Sequence, residues 1–373
     1  MGTSVAWHLS RLGVTRVVLV ERESALGAGS TGRNAGGVRH QFSHEANVRL
    51  SIESIRLFEQ FTSEVGADLD FWQDGYLFLL AAPAHVEAIG RQVEMQRRLG
   101  VAVDWLTPEE AARLAPGLRT DGVRAATFCA RDGIADPSGV TLGFARGARE
   151  RGVEILRGAE VTAIDVARGR VAGVETTAGP ISTPVVVNAA GPWAGRVGAL
   201  AGVDLPVTPL RRHILIAAPG SGGWRGAVPD SRLMVIDFET TFYFHREGAG
   251  VLFGMGEKDE RPGFDTTVNW DVIERVIPVA ERRLPALADA SISHAWAGLY
   301  EMTPDAMPLI GPVEEAGGLF VIAGFSGHGF QHSPAAGRIL ADVVAGRDPA
   351  FDLAPFAPSR FAAGVRAGEA NVI

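Results

Sequence analysis

One cysteine, Cys129, is all the chain has. An internal disulfide is impossible, and a lone thiol fits a reducing compartment, so the expected location is the cytoplasm. One lysine, Lys258, stands among 35 basic residues, and the net charge is −8 with no basic run. A nucleic acid or an anionic membrane surface would be repelled on average, so neither is an expected partner. No apolar stretch approaches the ~20 residues of a spanning helix. The first residues also lack the basic, apolar, small-residue order of an export signal. Tyrosine is scarce, at three positions, and no metal-ligand pattern is present. Glycine is plentiful, at 46 of 373 positions, in a chain that is 46% hydrophobic and 21% charged. That balance belongs to a globular protein with many tight turns, long enough for two cores.

Residues 3–12 predict a helix, because Val5, Leu9 and Leu12 recur at helical spacing and Gly13 sits at its stop. Residues 16–20, RVVLV, suit a parallel strand buried on both faces, with Glu21 at its carboxyl end. Helix, turn, buried strand and acid make the second half of a βαβ unit. The chain is therefore expected to lack the first strand of that unit, through a misassigned start or truncation. After a Gly- and Ser-rich loop, helices are expected over 44–66 and 85–99 and a strand over 75–81. A capped turn is expected over 107–116, with Thr107 as N-cap and Glu110 three residues on. Residues 136–164 read as helix, glycine turn, strand, strand, and 181–195 as one buried strand ending in a small-residue turn. Alternation over 205–300 predicts an antiparallel sheet, and 317–346 reads as strand, glycine-rich loop and long helix.

Two ends of the sequence carry chemistry. Gly2 precedes Glu21 by about the spacing that separates the glycine turn of a dinucleotide fold from the acid holding the ribose diol. The alternative, a starting Met-Gly and a chance surface Glu, stays open on this half-motif alone. In AGFSGHGF, Gly324, Gly327 and Gly329 join an apolar strand to a helix. Glycines there let backbone amides approach a planar ligand, and a helix N-terminus stabilises negative charge.

In these segments the chain resembles the D-amino-acid oxidase superfamily, in particular sarcosine oxidase β-subunits, sarcosine dehydrogenases and glycine- or proline-oxidising relatives. LVERE with GSTGRNAGGVR, GAEVTAI, VVNAAGPWAG, and TPDAMPLIGP leading into GFSGHGF carry the likeness in family order. The resemblance implies a mixed α/β and α+β fold. Its FAD-binding Rossmann-like domain would span 1–74, 133–204 and 301–373, with a second antiparallel-sheet substrate domain over 75–132 and 205–300. It further implies that Glu21, with Arg22 beside it, binds the adenosine ribose, and that Gly2 lies at the pyrophosphate turn. Ser30, Thr31, Arg33, Asn34 and Ala35 would line pyrophosphate and flavin, with Gly36 and Gly37 behind. Val161 would hold the adenine, and Ala190, Gly191 and Trp193 would flank the phosphates. The run Gly324, Phe325, Gly327, His328, Gly329, Phe330 and Gln331 would sit against the flavin's pyrimidine edge.

For the substrate, a carboxylate wants a guanidinium fork, and the resemblance puts Arg39 there. Tyr243, Tyr300, His328 and Gln331 are the further pocket candidates; His40 and His245 are weaker ones. The implied reaction is loss of a hydride from the α-carbon of a neutral amino acid or N-alkyl amino acid to FAD, giving an imine that hydrolyses. Departures from the family sharpen the expectation. Asn34 stands where some relatives attach flavin through a histidine, and Cys129 lies far from the cysteine position of others, near Tyr300. FAD is thus expected to be non-covalent. Gln331 replaces a lysine, and Leu252 stands where oxidases keep an oxygen-activating lysine, so a dehydrogenase is expected rather than a fast oxidase. The electron acceptor is left open, and a hetero-oligomer is possible. Two other readings stand beside this one. The first is a 2-hydroxy acid dehydrogenase with His40 or His328 as base. The second is a non-catalytic flavoprotein-like subunit or assembly factor.

Overall fold

The structure, a computed structural model, describes residues 1–257, 259–364 and 368–372, so Lys258 lies outside the described residues. The helix Gly2–Arg11 buries Val5, Ala6, Trp7 and Leu9 between two other helices, Pro137–Glu150 and Gly329–Val344. Two glycines let those helices close onto it. A Cβ on Gly147 would lie 2.8 Å from Trp7 Nε1, and one on Gly337 only 2.1 Å from Ser4 Oγ. Strand Val18–Glu21 pairs in parallel with Glu154–Arg157. Strand Val186–Asn188 pairs in parallel with Leu319–Ala323, which also takes Leu309–Pro312 antiparallel. A small meander, Val161–Ala167, Arg170–Thr176 and Ile181–Ser182, completes this body.

The second body is one eight-stranded sheet. Its order is Ser291–Met302, Thr208–Ala218, Gly250–Gly254, Phe242–Glu247, Met234–Asp237, Tyr76–Leu80, Ala125–Cys129 and Asp104–Leu106. All neighbours are antiparallel except Met234–Asp237 with Tyr76–Leu80. One face is dry: Leu77, Val235, Phe242, Phe244, Phe253 and Leu215 pack under Val272, Ile273, Val276 and Ala280 of helix Trp270–Arg283. Burying these large side chains is what holds the helix to the sheet.

Register decides what the other face presents. Tyr76 pairs with Met234, Ile236 with Tyr243, Tyr243 with Gly254, Gly254 with Ile214, and Arg212 with Gly298. Paired positions share a face and every second residue returns to it. Tyr76, Met234, Ile236, Tyr243, Ile214, Arg212, Gly298 and Tyr300 therefore form one surface.

The mixed α/β architecture with a large antiparallel-rich sheet is as expected, with three local differences. The helix over 44–66 is two, Glu45–Glu59 and Phe61–Val65, broken at Gln60. The strand over 181–195 is also two: Ile181–Ser182 joins the meander and Val186–Asn188 the parallel pair, with Pro184 in the turn between. Within 205–300 the helix Trp270–Arg283 interrupts the sheet. Asn269 caps it by accepting from Asp271 N at 3.1 Å, and Pro278 inside the helix masks its pattern in the sequence.

Candidate active site

A cavity of about 1420 Å³ runs between the two bodies. Part of it lies between strands Val18–Glu21 and Val186–Asn188, which face it from either side and do not pair with each other. The rest extends from Glu21, Val161 and Trp193 to the tyrosine-bearing face of the large sheet.

At the nucleotide end Glu21 closes its strand with one carboxylate oxygen accepting from Glu23 N at 2.8 Å. The guanidinium of Arg22 lies 4.5 Å over the Trp193 ring and makes a wall with it. Ala190 N donates to Asn188 Oδ1 at 3.2 Å, and Gly191 has φ +55°. Gly2 lines the cavity, but a Cβ there would meet Ala189 Cβ at 3.7 Å and Leu19 Cδ1 at 3.8 Å. These are ordinary contacts, so close helix–strand packing does not require a glycine at this point.

The loop 30–37 is stitched to the long strand Ser291–Met302. Ser30 Oγ donates to Leu299 O at 2.7 Å, Arg33 Nη1 to Ala297 O at 2.7 Å, and Trp296 Nε1 to Arg33 O at 3.0 Å. Asn34 closes the loop on itself, donating to Thr31 O and accepting from Gly36 N at 2.6 Å. Across the cavity, helix Gly329–Val344 begins at His328 without a side-chain cap, and Gly327, His328, Gly329, Phe330 and Gln331 all line the space. An uncapped helix start offers N–H donors and partial positive charge to an anionic ligand edge. The glycine turn before it is tight: Ser326 is left-handed at φ +50° and Gly327 at +94°.

The substrate end holds every tyrosine the chain has, each seated on a glycine. A Cβ on Gly37 would lie 1.8 Å from Tyr76 Oη, one on Gly254 2.5 Å from Tyr243 Oη, and one on Gly327 2.4 Å from Tyr300 Cε2. Burial raises the pKa of all three phenols, so they stay protonated. Arg212 and Arg39 flank Tyr300, and the Arg212 guanidinium stands 5.2 Å from its ring centroid. Arg39 is buried and heavily engaged. It donates to Gln41 O, to Asn371 O at 2.7 Å and to His328 Nε2 at 3.0 Å, and stacks 4.0 Å over Phe42. Its own N–H donates to Gln331 Oε1 at 2.7 Å. Burial, then the Arg39 charge, depresses the pKa of His328 well below the usual range, so the ring is neutral. Glu301, on the same strand, is pushed up to about 7 by burial.

The cavity thus brings together nearly all the expected site residues: Gly2, Glu21, Arg22, Ser30, Thr31, Arg33, Asn34, Ala35, Gly37, Arg39, Val161, Ala190, Gly191, Trp193, Tyr243, Tyr300 and the run 327–331. Three lie behind its wall. Gly36, at φ +76°, would press a Cβ 2.6 Å from Ala135 O, and Gly324 would press one 2.4 Å from Thr303 Cγ2. Phe325 is core, packed with Ile322 and Ile339. Of the weaker candidates, His40 is locked to Asp132 by Nδ1 at 2.6 Å and by its backbone N at 2.8 Å. Cys129 lies against this pair, its thiol held protonated by burial. His245 is buried, accepts no role in the cavity wall, and is held neutral with a pKa lowered to about 4. Leu252, buried, pairs with His245. Tyr76, Arg212 and Glu301 also line the cavity and were not anticipated. The available signal for Tyr76 was one hydroxyl in the apolar run YLFLL.

The residues present fit FAD. A strand-end carboxylate has an oxygen left for a diol, and a glycine turn with an uncapped helix start meets the cavity where an anionic ring edge would lie. Glycines at 37, 254 and 327 remove the Cβ atoms that would displace its tyrosine floor.

Comparison with known proteins agrees. The profile of the DAO family, FAD dependent oxidoreductase, matches residues 1–343. The chain is 32% identical over 420 residues to FAD-dependent oxidoreductase domain-containing protein 1 of Bos taurus, covering 99% of this chain and 84% of that protein. It is 30% identical to the mitochondrial dimethylglycine dehydrogenase of Rattus norvegicus, covering 97% of this chain but only 44% of that longer protein. Among solved structures, L-proline dehydrogenase from P. horikoshii superposes with a TM-score of 0.89 at 34% identity, over 97% of this chain and 95% of that one. Glycine oxidase from Geobacillus kaustophilus gives a TM-score of 0.84 at 27% identity, over 96% and 95%. The chain belongs to the DAO family of FAD-dependent oxidoreductases.

Proposed function

We propose that this protein oxidises the C–N bond of a neutral amino acid or N-alkyl amino acid of the sarcosine, glycine or proline kind, with FAD bound non-covalently. The observation that carries the reading is one cavity joining a nucleotide end, Glu21 and Trp193, to a floor of three tyrosines and two arginines. FAD supplies the two-electron oxidant. The chain's residues do the rest. Glu21 would hold the ribose, and Ser30, Arg33 and Asn34 fix the loop against the sheet. The helix start at His328 and Gly329 favours negative charge beside it. A guanidinium orients the substrate carboxylate, and the protonated phenols of Tyr76, Tyr243 and Tyr300 close the pocket and exclude water. The substrate carbon gives up a hydride and its amine nitrogen shares its lone pair to form an imine, which water hydrolyses.

Asn34 and the remote Cys129 support a non-covalent cofactor. Leu252, where oxidases of the family keep a lysine, supports an acceptor other than oxygen. The 2-hydroxy acid reading is weaker, because His40 is spent on Asp132 and His328 accepts from Arg39. The test is a visible spectrum of the FAD-loaded protein, followed by anaerobic addition of sarcosine, L-proline, glycine and lactate. Bleaching by an amine is expected, with reoxidation faster by an artificial dye than by air. Bleaching by lactate alone, or by nothing, overturns the reading.

A further inference from the structure

We infer that Arg212, and not Arg39, is the anchor for the substrate carboxylate. The inference rests on the amino acid reading of this cavity and names a residue of the same site. A carboxylate needs two N–H donors of one guanidinium on the same side, free and aimed at the ligand. Arg39 cannot offer that pair while its terminal nitrogens serve Gln41 O, Asn371 O and His328 Nε2. These are fixed acceptors of the protein's own backbone and core.

Arg212 is placed and furnished differently. It sits on strand Thr208–Ala218, paired with Gly298, against which Arg33 packs. The register puts it on the cavity face with Tyr243 and Tyr300, and among the described residues it is the one charged residue of that face to line the cavity. Nη1 donates to Arg211 O at 2.9 Å. Nε is buried and has no acceptor. A buried guanidinium N–H without an acceptor is costly, and an acceptor supplied by a ligand relieves that cost. Among the described residues Arg212 is in no ion pair. Glu257, which feels its charge, is bonded to His213 Nδ1 at 2.6 Å. A carboxylate that meets the cavity-facing edge of the Arg212 guanidinium lies against the Tyr300 ring, which holds the α-carbon and nitrogen over the tyrosine floor. The substrate class that follows is a small α-amino acid whose carboxylate points at the sheet.

The test pairs substrates that differ only in that carboxylate, L-proline with pyrrolidine and sarcosine with dimethylamine. It adds α-aminoisobutyrate, an amino acid with no α-hydrogen, as a non-reacting probe of the FAD-loaded protein's visible band. Arg212→Met is expected to weaken α-aminoisobutyrate binding and to lower kcat/KM for L-proline or sarcosine by at least about 30-fold, chiefly through KM. Pyrrolidine and dimethylamine should be unaffected. FAD affinity and spectrum should be unchanged, which shows the variant folded, and Arg212→Lys should recover part of the loss. The inference is overturned if folded Arg212→Met binds α-aminoisobutyrate within about threefold of the parent. It is also overturned if folded, FAD-loaded Arg39→Met is the variant that loses it. If the parent is bleached by amines and Arg212→Met behaves identically, the inference falls and the function stands. If no amino acid bleaches the parent, both fall.

Discussion

Gly327→Ala tests whether the glycine turn is there to seat Tyr300. The residue is at φ +94°, and an added Cβ would lie 2.4, 2.6 and 2.9 Å from three ring atoms of Tyr300. Two costs add. A non-glycine residue in the left-handed region costs roughly 1–2 kcal/mol. Forcing a methyl into a packed contact costs a further ~1–3 kcal/mol, since Tyr300 is clamped by its own strand and cannot recede freely. The single variant should therefore lose about 2–5 kcal/mol in urea unfolding. Tyr300→Ala removes the ring, so Gly327→Ala made on that background should cost only the conformational part, roughly 1–2 kcal/mol. The double-mutant cycle reads the difference as a coupling of ~1–3 kcal/mol, independent of whatever Tyr300→Ala itself does. FAD titration by fluorescence quenching on the same proteins should show affinity falling with Gly327→Ala and partly returning in the double variant. Equal costs on both backgrounds, within about 0.5 kcal/mol, would refute the steric account.

Arg39→Met should lower stability by roughly 2–4 kcal/mol, because it strands the buried carbonyls of Gln41 and Asn371. Residues 368–372 should then become sensitive to limited proteolysis, and an unchanged digestion rate would count against Arg39 holding this segment through Asn371 O. Asp237→Ala should cost about 3–5 kcal/mol in thermal unfolding, since Arg283 Nε donates to Asp237 Oδ2 at 2.7 Å and both are buried. A loss no larger than that of an exposed pair such as Arg91–Glu87 would refute it. Glu301 is raised from its usual value to about 7, so between pH 5 and 7 the folded chain holds a proton that the unfolded chain releases. That group's contribution therefore declines as pH rises through the window, and Glu301→Gln should gain on the parent from pH 5 to pH 8, by at most about 3 kcal/mol. A pH-independent gap would contradict the assignment.

Much of this was legible in the sequence for a physical reason. The strand in RVVLV (formed as Val18–Glu21, and half-buried where it faces the cavity rather than buried on both faces), the Thr107–Glu110 box and the strand–glycine–helix joint at 319–344 are local patterns, and local patterns survive folding. Thr107 Oγ1 does accept from Glu110 N, at 3.2 Å, while Glu110 takes Thr107 N at 2.8 Å. What was illegible depends on pairing across long separations. Alternation in PLRRHILI says that Arg211 and Arg212 face opposite ways, but not which faces the cavity. That is decided by the register, which pairs Arg212 with Gly298 across the ladder. Arg39 was found through the family resemblance of its loop, yet its engagement depends on Asn371, 332 positions away. Gly36 and Gly37 look equivalent in sequence. Only the fold turns one toward Ala135 O and the other toward Tyr76.

The protonation states of the pocket constrain how the rate should depend on pH. A strong base on the protein would appear as an alkaline-rising limb at a fixed pH, whatever the substrate. The phenols of Tyr76, Tyr243 and Tyr300 are shifted upward by burial and hold their protons, and His328 is neutral but already accepts from Arg39. Glu301 has the right pKa, about 7, but it follows Tyr300 on the strand and so projects to the opposite side. There it lies against Gly329 and Gly191, away from the tyrosine floor. The remaining group that must lose a proton is the substrate's own amine. kcat/KM should then rise with pH along a limb that moves when L-proline is exchanged for sarcosine or glycine, in step with each free amine. Glu301→Gln should leave that limb in place. A limb fixed near pH 7 for every substrate and abolished by Glu301→Gln would make Glu301 the base, and would remove the argument that the pocket works by orientation and solvent exclusion alone.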